Sequence, residues 1–508
     1  MDRTYVFAAT ILIYFGVLTT LNVLRARKVR TQDDMMVAGR TLSLWVIVFT
    51  LICTWIGSGT FIAGAEYAYY AGWSAVWMPA GAWIGILVIY FLAAKIGTFG
   101  QYTVGDILEV RYGRFARLFG AVAIVISFTT IVAYQFRAGG YILNVLSDGR
   151  ISVEWGQLAA AAFVILFTAL GGMVAVAYTD LPNGIVIVLA CLVSVPFVVL
   201  AAGGWSHAAE VLPATHFATF SADFGHFPAL TALGYAFSTL LLLMGIQSMY
   251  QKFYAARSAV EARAAVGVWI VGTIVVEVVV IVIAVYASSY NAEHALSWDA
   301  RAMVLQAARR MVPLPVGVLL LGAACAVVIS TGMNYLLSPS TNVMRDVYQR
   351  FLRPDADPRR MVALQKIVVV AIGFLAFLMI FVPTILKSNI SVLQYSYFAY
   401  TIYGVAITPA LLAALTWRRA TRVGGLLSIV LGTLATLFFE VVFPYAWPRA
   451  MLGAPNAAAT GVFGKAPWGV PGIFFSFALS MAGLVIGSYL SPPPKQEELE
   501  PFFGKAVR

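Results

Sequence analysis

A compact group of polar side chains interrupts an otherwise apolar stretch near residue 330. Ser330, Thr331 and Asn334 lie within one turn of a predicted helix, in the sequence VVISTGMNY. Hard monovalent cations prefer hydroxyl and carbonyl oxygens that carry no full charge. Serine and threonine in membrane helices also bond back to the preceding turn. The group by itself therefore predicts either a cation site or local hydrogen bonding.

Two glycine-containing segments interrupt apolar runs that should otherwise form regular helices. The first is CTWIGSGTFIAG, residues 53–64, in a region whose only charged residue between Arg40 and Lys95 is Glu66. The second is LLMGIQSMYQKFY, residues 242–254, which is polar where lipid-facing residues should be apolar. Unwound backbone at membrane depth needs protein, water or a ligand to satisfy it, whereas glycine also serves close helix packing. Both explanations remain open for each segment.

Three ionisable side chains lie inside or beside apolar stretches. Arg137, in VAYQFRAGGYIL, is a candidate functional group, and snorkelling or pairing with an acid such as Glu66 is the alternative. Asp180, in GGMVAVAYTDLPNG, is predicted between two spans at their inner ends. There it could serve a site, or Thr179 or Asp180 could cap a helix with Pro182 in its first turn. Glu66 is expected near the outer end of its helix, as a solvated vestibule residue or a solute contact.

The composition is that of a polytopic membrane protein. Of the 508 residues, 61% are hydrophobic and only 11% are charged, against roughly 25% in soluble proteins. Apolar runs of spanning length recur from end to end. They predict an all-α protein of about 13 spans, near residues 5–24, 43–71, 73–94, 116–145, 157–177, 182–203, 229–251, 265–289, 313–340, 365–386, 392–416, 423–444 and 471–490.

The distribution of the basic residues along the chain indicates a membrane topology. Of 33 Lys and Arg, 24 fall in predicted inner loops, eight in outer segments and one, Arg137, within a span. The positive-inside rule then predicts an outer N-terminus and a cytoplasmic C-terminus. The net charge of +11 is therefore a topology signal, and no nucleic-acid partner is expected. No catalytic motif is evident and no enzyme is predicted. Cys53, Cys191 and Cys325 all lie in spans, which implies no disulfide framework.

The two broken segments occupy the second and seventh predicted spans, five apart. Matching breaks in two five-helix halves are typical of an inverted repeat with a binding site near the bilayer midplane. An odd number of helices per half makes the second half enter from the opposite side.

Several motifs together resemble the sodium/solute symporter family, which includes sodium–glucose, sodium–proline and high-affinity choline transporters. In chain order they are VAGRTLSLW, GGMVAVAYTD, YQKFYAARSAVEAR, STGMNYLLSPSTNVMRDVY and TPALLAALTWRRATRVGGLLS. The resemblance implies a LeuT-type five-plus-five inverted repeat in one transmembrane domain, residues 1–490. Within it, an extra helix (5–24) precedes the repeats 43–203 and 229–416, two further helices occupy 423–490, and a short cytoplasmic tail (491–508) follows.

The resemblance also implies a Na⁺ site between the first broken helix and the Ser330 helix. Its ligands would be the carbonyls of Cys53, Ile56 and Val327 and the hydroxyls of Ser330 and Thr331. Some family members hold a second Na⁺ with further hydroxyls and the carboxylate that matches Asp180. Here the hydroxyl positions are Met333 and Asn334, and a thioether is a poor ligand for Na⁺. One Na⁺ is therefore expected, with Asp180 and Asn334 as accessory groups.

The solute is less legible. Thr60 matches a polar contact of the sugar-transporting relatives, and Trp55 resembles a cage tryptophan of the choline branch, although the other cage positions read Ile131 and Ser248. The planar guanidinium of Arg137 can donate two parallel hydrogen bonds to a carboxylate, as an arginine does in a sialic-acid branch of the family. The candidate hydrogen-bonding neighbours are Gln135, Gln247 and Tyr250.

The expected function is sodium-coupled symport of a small organic solute by alternating access across the cell membrane. A carboxylate-bearing solute is slightly preferred. The alternatives are a choline-like amine symporter, a solute sensor and a sodium-independent carrier. The expected partners are Na⁺, the solute and the lipid bilayer, and the sequence leaves the oligomeric state open.

Overall fold

The computed structural model describes residues 3–26, 31–98, 102–386, 391–453 and 465–504. Within these ranges the chain is almost entirely helical. The α-helices, in chain order, are α1 (Arg3–Ala26), α2 (Gln32–Val37), α3 (Leu44–Trp55), α4 (Ala65–Ala71), α5 (Trp77–Thr98), α6 (Val104–Tyr112), α7 (Arg114–Leu146), α8 (Val153–Ala201), α9 (Gly204–Val211), α10 (Pro228–Gly245), α11 (Gln247–Ala255), α12 (Ala259–Glu293), α13 (Met303–Arg310), α14 (Leu314–Asn342), α15 (Pro358–Ile385), α16 (Val392–Ala406), α17 (Thr408–Thr416), α18 (Arg422–Leu437), α19 (Phe443–Ala446), α20 (Gly472–Leu490) and α21 (Gln496–Phe503).

Shorter elements connect or extend these helices. π-helical turns lead into α4 and continue α14 and α18, at Gly59–Gly64, Val343–Leu352 and Phe438–Val442. Single 3₁₀ turns occupy Ala38–Arg40, Gly72–Val76, Ala214–Phe217, Ala222–Phe224, Ala300–Ala302 and Pro448–Ala450. Two short strands, β1 (Met451–Leu452) and β2 (Ala466–Pro467), pair antiparallel.

Eleven helical stretches of the described residues are long and apolar enough to cross a membrane. One of them, Val153–Ala201, covers two predicted spans, because 49 residues make roughly 73 Å of helix and a bilayer core needs about 30 Å. The first broken segment falls partly in the 12-residue helix Leu44–Trp55, which is too short to count alone. The number of crossings and the orientation of the termini therefore stay predictions.

The sequence predicts a turn between the spans 157–177 and 182–203. The structure places this turn earlier in the chain. The backbone turns at Gly172, whose φ of +61° favours glycine, and the helix then continues through Asp180 and Pro182. Thr179 bonds back to the Ala175 carbonyl at 3.0 Å, inside the helix. Neither Thr179 nor Asp180 caps a helix, so that alternative is wrong, and Asp180 lies about two turns into the helix after Gly172.

The α14 helix lies at the centre of the molecule and packs against α7 and α8. Every residue from Ala323 to Asn342 is buried, including the polar positions of the STGMN motif. Because lipid offers no hydrogen bonds, such polar side chains must find partners within the protein. The same region therefore brings residues from α3, α8 and α11 to the middle of α14.

The segment after α20 contains the helix α21. This helix buries Phe502, and Glu498 pairs with Arg422 at 2.7 Å. The last four residues of the predicted tail, 505–508, lie outside the described part of the chain.

Candidate functional site

The first broken helix ends at Trp55, and its freed carbonyls face α14. Ile56 has an extended backbone (φ −72°, ψ 92°), so the regular hydrogen bonds stop there. The Thr331 hydroxyl donates to the Cys53 carbonyl at 2.9 Å and lies 3.2 Å from the Ile56 carbonyl. Ser330 Oγ lies 3.5 Å from the same Cys53 oxygen. The break thus gathers two carbonyls and two hydroxyls at one buried point.

This point fits the oxygen chemistry of Na⁺. The four oxygens are uncharged and fully inside the protein, and Val327, the fifth expected ligand, is buried one turn earlier on α14. A hydroxyl that now bonds to a carbonyl can turn its lone pairs toward an ion placed between them. The sequence-predicted ligands are therefore neighbours, while ion binding itself stays a prediction.

Gly57 and Gln135 complete the break. The Ser58 amide, freed by the unwinding, donates to Gln135 Oε1 at 3.2 Å. A Cβ on Gly57 would stand 2.8 Å from Thr331 Cγ2 and 2.9 Å from Gln135 Nε2. Glycine is required here because α7 and α14 approach the backbone closely, not because its φ is unusual. Gln135 serves the broken backbone from the α7 side.

Asp180 is the centre of a second polar group beside this one. Its Oδ1 accepts from Ser330 Oγ at 2.5 Å, and its Oδ2 accepts from Thr50 Oγ1 at 2.5 Å and from Asn334 Nδ2 at 3.0 Å. The carboxylate thus orients the Ser330 hydroxyl without touching the two carbonyls itself. Asn334 is in turn bonded to Lys252, whose Nζ lies 2.5 Å from Asn334 Oδ1.

Lys252 is a site residue that the sequence analysis did not single out. It lies on α11 and is fully buried, which is rare for lysine without a functional or structural partner. Its presence inside the quoted motif YQKFYAARSAVEAR was the available signal. A lysine on a predicted broken helix should have been treated as an intramembrane charge.

The second break, at Ile246 between α10 and α11, has the same backbone form as the first (φ −66°, ψ 115°). The Tyr403 hydroxyl donates to the Gly245 carbonyl and accepts from the Gln247 amide, both at 2.8 Å. The Gln247 side chain bonds to Ser338 and Asn342. Tyr250 donates to the Met244 carbonyl at 2.7 Å. Gln247 and Tyr250, proposed as solute contacts, are engaged in holding this break together.

A small cavity lies beside the first break. Its volume is about 20 Å³, room for about one water molecule. Trp55 and Thr60 both line it, as the resemblance implies for a solute site. The complete lining is Trp55, Gly59, Thr60, Gly64, Ala75, Met78, Pro79, Thr239, Glu277, Ile281 and Tyr400.

Glu277 on α12 is the charged group of this cavity, and the sequence analysis missed it. Its two carboxylate oxygens accept from the indole N–H groups of Trp55, at 2.8 Å, and Trp83, at 2.6 Å. The side chain is buried, and no basic residue of the described chain makes an ion pair with it. Trp55 also stacks on Tyr400, with ring centroids 6.3 Å apart. A single Glu within the run GTIVVEVVVIVIAVY was the signal that could have revealed it.

Arg137 does not line this cavity. Its Nη1 donates to Gln157 Oε1 at 3.2 Å, and its guanidinium lies over the Tyr141 ring at 5.3 Å. Glu66 is buried rather than solvated, which corrects the vestibule expectation. One of its oxygens accepts from the Leu393 amide at 3.2 Å, in the first turn of α16, where a carboxylate complements the helix dipole.

Comparisons with known proteins agree with this architecture. The family model described as the sodium:solute symporter family matches residues 35–432. The sodium/proline symporter of Escherichia coli K12 is 24% identical over 488 residues, 90% of this chain and 93% of that protein. The human high affinity choline transporter 1 is also 24% identical, over 492 residues, 91% of this chain and 81% of that one.

Two solved structures share the fold. A Na⁺-coupled sialic acid symporter, solved substrate-bound and outward-open, superposes with a TM-score of 0.77 at 14% identity, covering 98% of this chain and 99% of that one. The nucleobase-cation-symport-1 transporter MHP1 gives 0.57 at 11% identity, covering 92% and 97%. The expected LeuT-type fold is confirmed. Since the family model covers well over half of its length, the chain belongs to the sodium:solute symporter family.

Proposed function

We propose that this multi-pass membrane transporter couples the entry of Na⁺ to the uptake of a small organic cation. The carrying observation is Glu277, a buried carboxylate on the cavity wall whose hydrogen bonds within the described part of the chain come from the neutral indoles of Trp55 and Trp83. The proposal keeps sodium-coupled symport by alternating access and revises the slight preference for a carboxylate-bearing solute.

The Na⁺ part of the proposal rests on the oxygens at the first break. Cys53 and Ile56 carbonyls and the Ser330 and Thr331 hydroxyls meet within hydrogen-bond distances on α3 and α14. The partial negative charges of these carbonyl and hydroxyl oxygens would attract a bound Na⁺. The ion would thereby link the two helices. Family membership supports sodium coupling in general, and these residues are the proposed place of it.

The solute part rests on charge balance. Two N–H donors stabilise Glu277, but an ionised carboxylate buried without a counter-charge is costly. An ammonium group entering the cavity would pair with Glu277 and lie near the faces of Trp55 and Tyr400, which attract cations. A carboxylate-bearing solute would instead bring a second negative charge to the same wall.

Arg137 supports the alternative of an anionic solute. Among the described residues its buried Nε has no hydrogen-bond partner, so the guanidinium can donate a further hydrogen bond. The alternative requires the solute to reach a side chain that the cavity does not include. A solute carrying both charges would be one way to use both residues, and the binding screen below separates these cases.

The cavity is too small for the proposed solute in the conformation of this structure. A volume of about 20 Å³ cannot hold an organic solute, so the helices lining it must separate to admit one. Gly59 marks the tightest approach, because a Cβ there would stand against the Tyr400 hydroxyl.

A binding screen tests the solute class. Purified protein is heated with quaternary and secondary amines, zwitterions and carboxylates, in Na⁺ and in K⁺ buffer. We expect amines to stabilise the protein in Na⁺, and Glu277→Gln to weaken the best amine at least tenfold. Glu440→Gln, another membrane carboxylate but outside this cavity, is the matched control. Stabilisation by carboxylates alone, unaffected by Glu277→Gln, would refute the cationic solute.

Alanine substitutions test the Na⁺ ligands. Ser330→Ala and Thr331→Ala should each raise the Na⁺ concentration for half-maximal binding by about tenfold, or about 1.4 kcal/mol. Thr168→Ala is the control, since the Thr168 hydroxyl bonds only within its own helix, at 2.7 Å to Val164. An unchanged Na⁺ dependence in both variants would exclude this site.

A further inference from the structure

Lys252 brings a full positive charge into the polar group beside the Na⁺ ligands. Its side chain is completely buried, and among the described residues its hydrogen bond goes to Asn334 Oδ1. The orientation of the Asn334 amide follows from its partners. Nδ2 faces Asp180 Oδ2 at 3.0 Å and the Ser330 carbonyl at 2.9 Å, and both are acceptors. Oδ1 is thus the atom that accepts the hydrogen bond from the Lys252 ammonium.

Asp180 has the bonding pattern of an ionised carboxylate. Both oxygens accept, from Ser330, Thr50 and Asn334, and the two hydroxyl contacts are 2.5 Å long. An ionised carboxylate accepts at both oxygens, because it carries no proton to donate. One amide group therefore separates a carboxylate from an ammonium, and the charges of this buried group sum to zero.

The same three residues come from three elements. Asp180 lies on α8, Asn334 on α14 and Lys252 on α11, the half-helix after the second break. Asp180, Met333 and Asn334 are also the positions where the family resemblance places ligands for a second Na⁺ in some relatives. Lys252 already delivers a positive charge to that place.

We propose that Lys252 is the fixed counter-cation of Asp180, so that the chain binds one Na⁺, at the first helix break, and none at Asp180. A second Na⁺ near Asp180 would face the ammonium. Like charges repel more strongly in such a buried site than in water. The inference rests on the proposed Na⁺ coupling and is independent of the solute class.

The experiment counts bound ²²Na⁺ per chain on purified protein at pH 8, at saturating Na⁺ and without solute. We expect one Na⁺ in the wild type. Lys252→Met leaves Asp180 without a counter-charge, and we expect the count to rise to two. Lys252→Arg, which keeps the charge, should stay at one, and the Lys252→Met/Asp180→Asn double variant should return to one.

Lys95→Met is the control for losing a lysine, since Lys95 Nζ bonds to the Leu415 carbonyl, away from this group. A wild-type count of two, or a Lys252→Met count that stays at one, overturns the role of Lys252. If Lys252→Met does not yield monodisperse protein, Asp180→Asn decides: the proposal requires it to keep one Na⁺, and loss of binding at saturation contradicts it. A wild-type count of zero would instead refute the Na⁺ coupling of the proposed function.

Discussion

Glu277 is held by two tryptophans rather than by a basic side chain. Indole N–H groups orient the carboxyl group and bring no positive charge to it, so a cationic ligand could supply that charge. A salt bridge to Lys or Arg would have supplied it within the protein. Asp180 differs from Glu277, because Lys252 balances its negative charge through Asn334. Of these two buried acids, Glu277 is therefore the one that we propose to pair with a cationic solute.

Trp83→Phe tests how far the Glu277 geometry matters. The ring is kept, but the 2.6 Å hydrogen bond to Oε2 is lost. Hydrogen bonds to charged groups contribute roughly 1.5–3 kcal/mol, so we expect the amine affinity to fall on the order of tenfold or more. Trp77→Phe on the same helix is the control, since its indole donates to the Thr219 carbonyl in a loop. Equal effects of the two substitutions would argue against a specific role for Trp83.

The two helix breaks, one in each inverted repeat, have the same local backbone geometry. Each ends at a glycine or tryptophan followed by an isoleucine in extended conformation, Ile56 in one and Ile246 in the other. Side chains of other helices then take up the freed backbone groups. Tyr403 and Tyr250 bond to carbonyls at the second break, whereas the first break leaves two carbonyls near Thr331. Of these two breaks, the first is therefore the one that we propose for an ion.

Gly57→Ala tests this close approach. A Cβ within 2.8 Å of Thr331 Cγ2 must displace the threonine or the backbone. We expect a folded protein with at least tenfold weaker Na⁺ binding, measured with the same ²²Na⁺ assay. Gly322→Ala on α14, where a new Cβ meets nothing within 4 Å, should leave the affinity unchanged. Native Na⁺ affinity in Gly57→Ala would contradict the assigned geometry.

The α4 end of the first broken helix packs against His216, in the 3₁₀ turn Ala214–Phe217. Gly72 has a φ of +59°, and a Cβ on it would stand against the His216 backbone. His216 Nε2 lies 2.9 Å from the Tyr69 carbonyl, and burial lowers the pKa of His216 although Asp223 opposes the shift. Because the unfolded chain then binds the proton more readily, this stability is present above about pH 6.5 and is lost as the pH falls through the folded-state pKa.

Thermal unfolding at pH 7.5 and 5.5 checks this loss. We expect the melting temperature of the wild type to fall on acidification, and His216→Gln to show a smaller fall. His294→Gln replaces an exposed histidine and should behave as the wild type. A fall that is identical in His216→Gln would show that other groups cause the acid sensitivity.

The sequence predicted elements better than it predicted contacts. Apolar length located the long helices and glycine placement located both breaks, since these depend on local composition. The turn before Asp180 was misplaced because TDLPNG contains stronger turn residues than GG, yet Pro182 fits inside a membrane helix. Pairs such as Trp55 with Glu277, or Lys252 with Asn334, lie far apart in the chain, and only the packing of α11, α12 and α14 brings them together.

At the scale of the whole molecule, both proposed sites share one short segment. Cys53 and Ile56 present carbonyls to the Na⁺ position, and Trp55 between them bonds to Glu277 in the cavity. Binding at either place thus acts on the same unwound turn of α3. Such sharing makes the two affinities interdependent, and by linkage Na⁺ must tighten the solute by the same factor that the solute tightens Na⁺.

The charge carried per cycle tests the combined proposals. One Na⁺ and one monovalent cation move two charges, worth about 4.6 kcal/mol across 100 mV, and a tenfold Na⁺ gradient adds about 1.4 kcal/mol. About 6 kcal/mol would sustain an amine gradient on the order of 10⁴-fold. In proteoliposomes with a K⁺ diffusion potential, we expect two charges to enter per ²²Na⁺ with the best amine of the screen. A ratio of one would indicate a net-neutral solute, and a ratio of zero a monovalent anion. Either result would contradict the cationic solute. A cationic solute gives a ratio above one for any number of Na⁺ carried, so a ratio above or not above one tests the sign of the solute charge separately from the count of bound Na⁺.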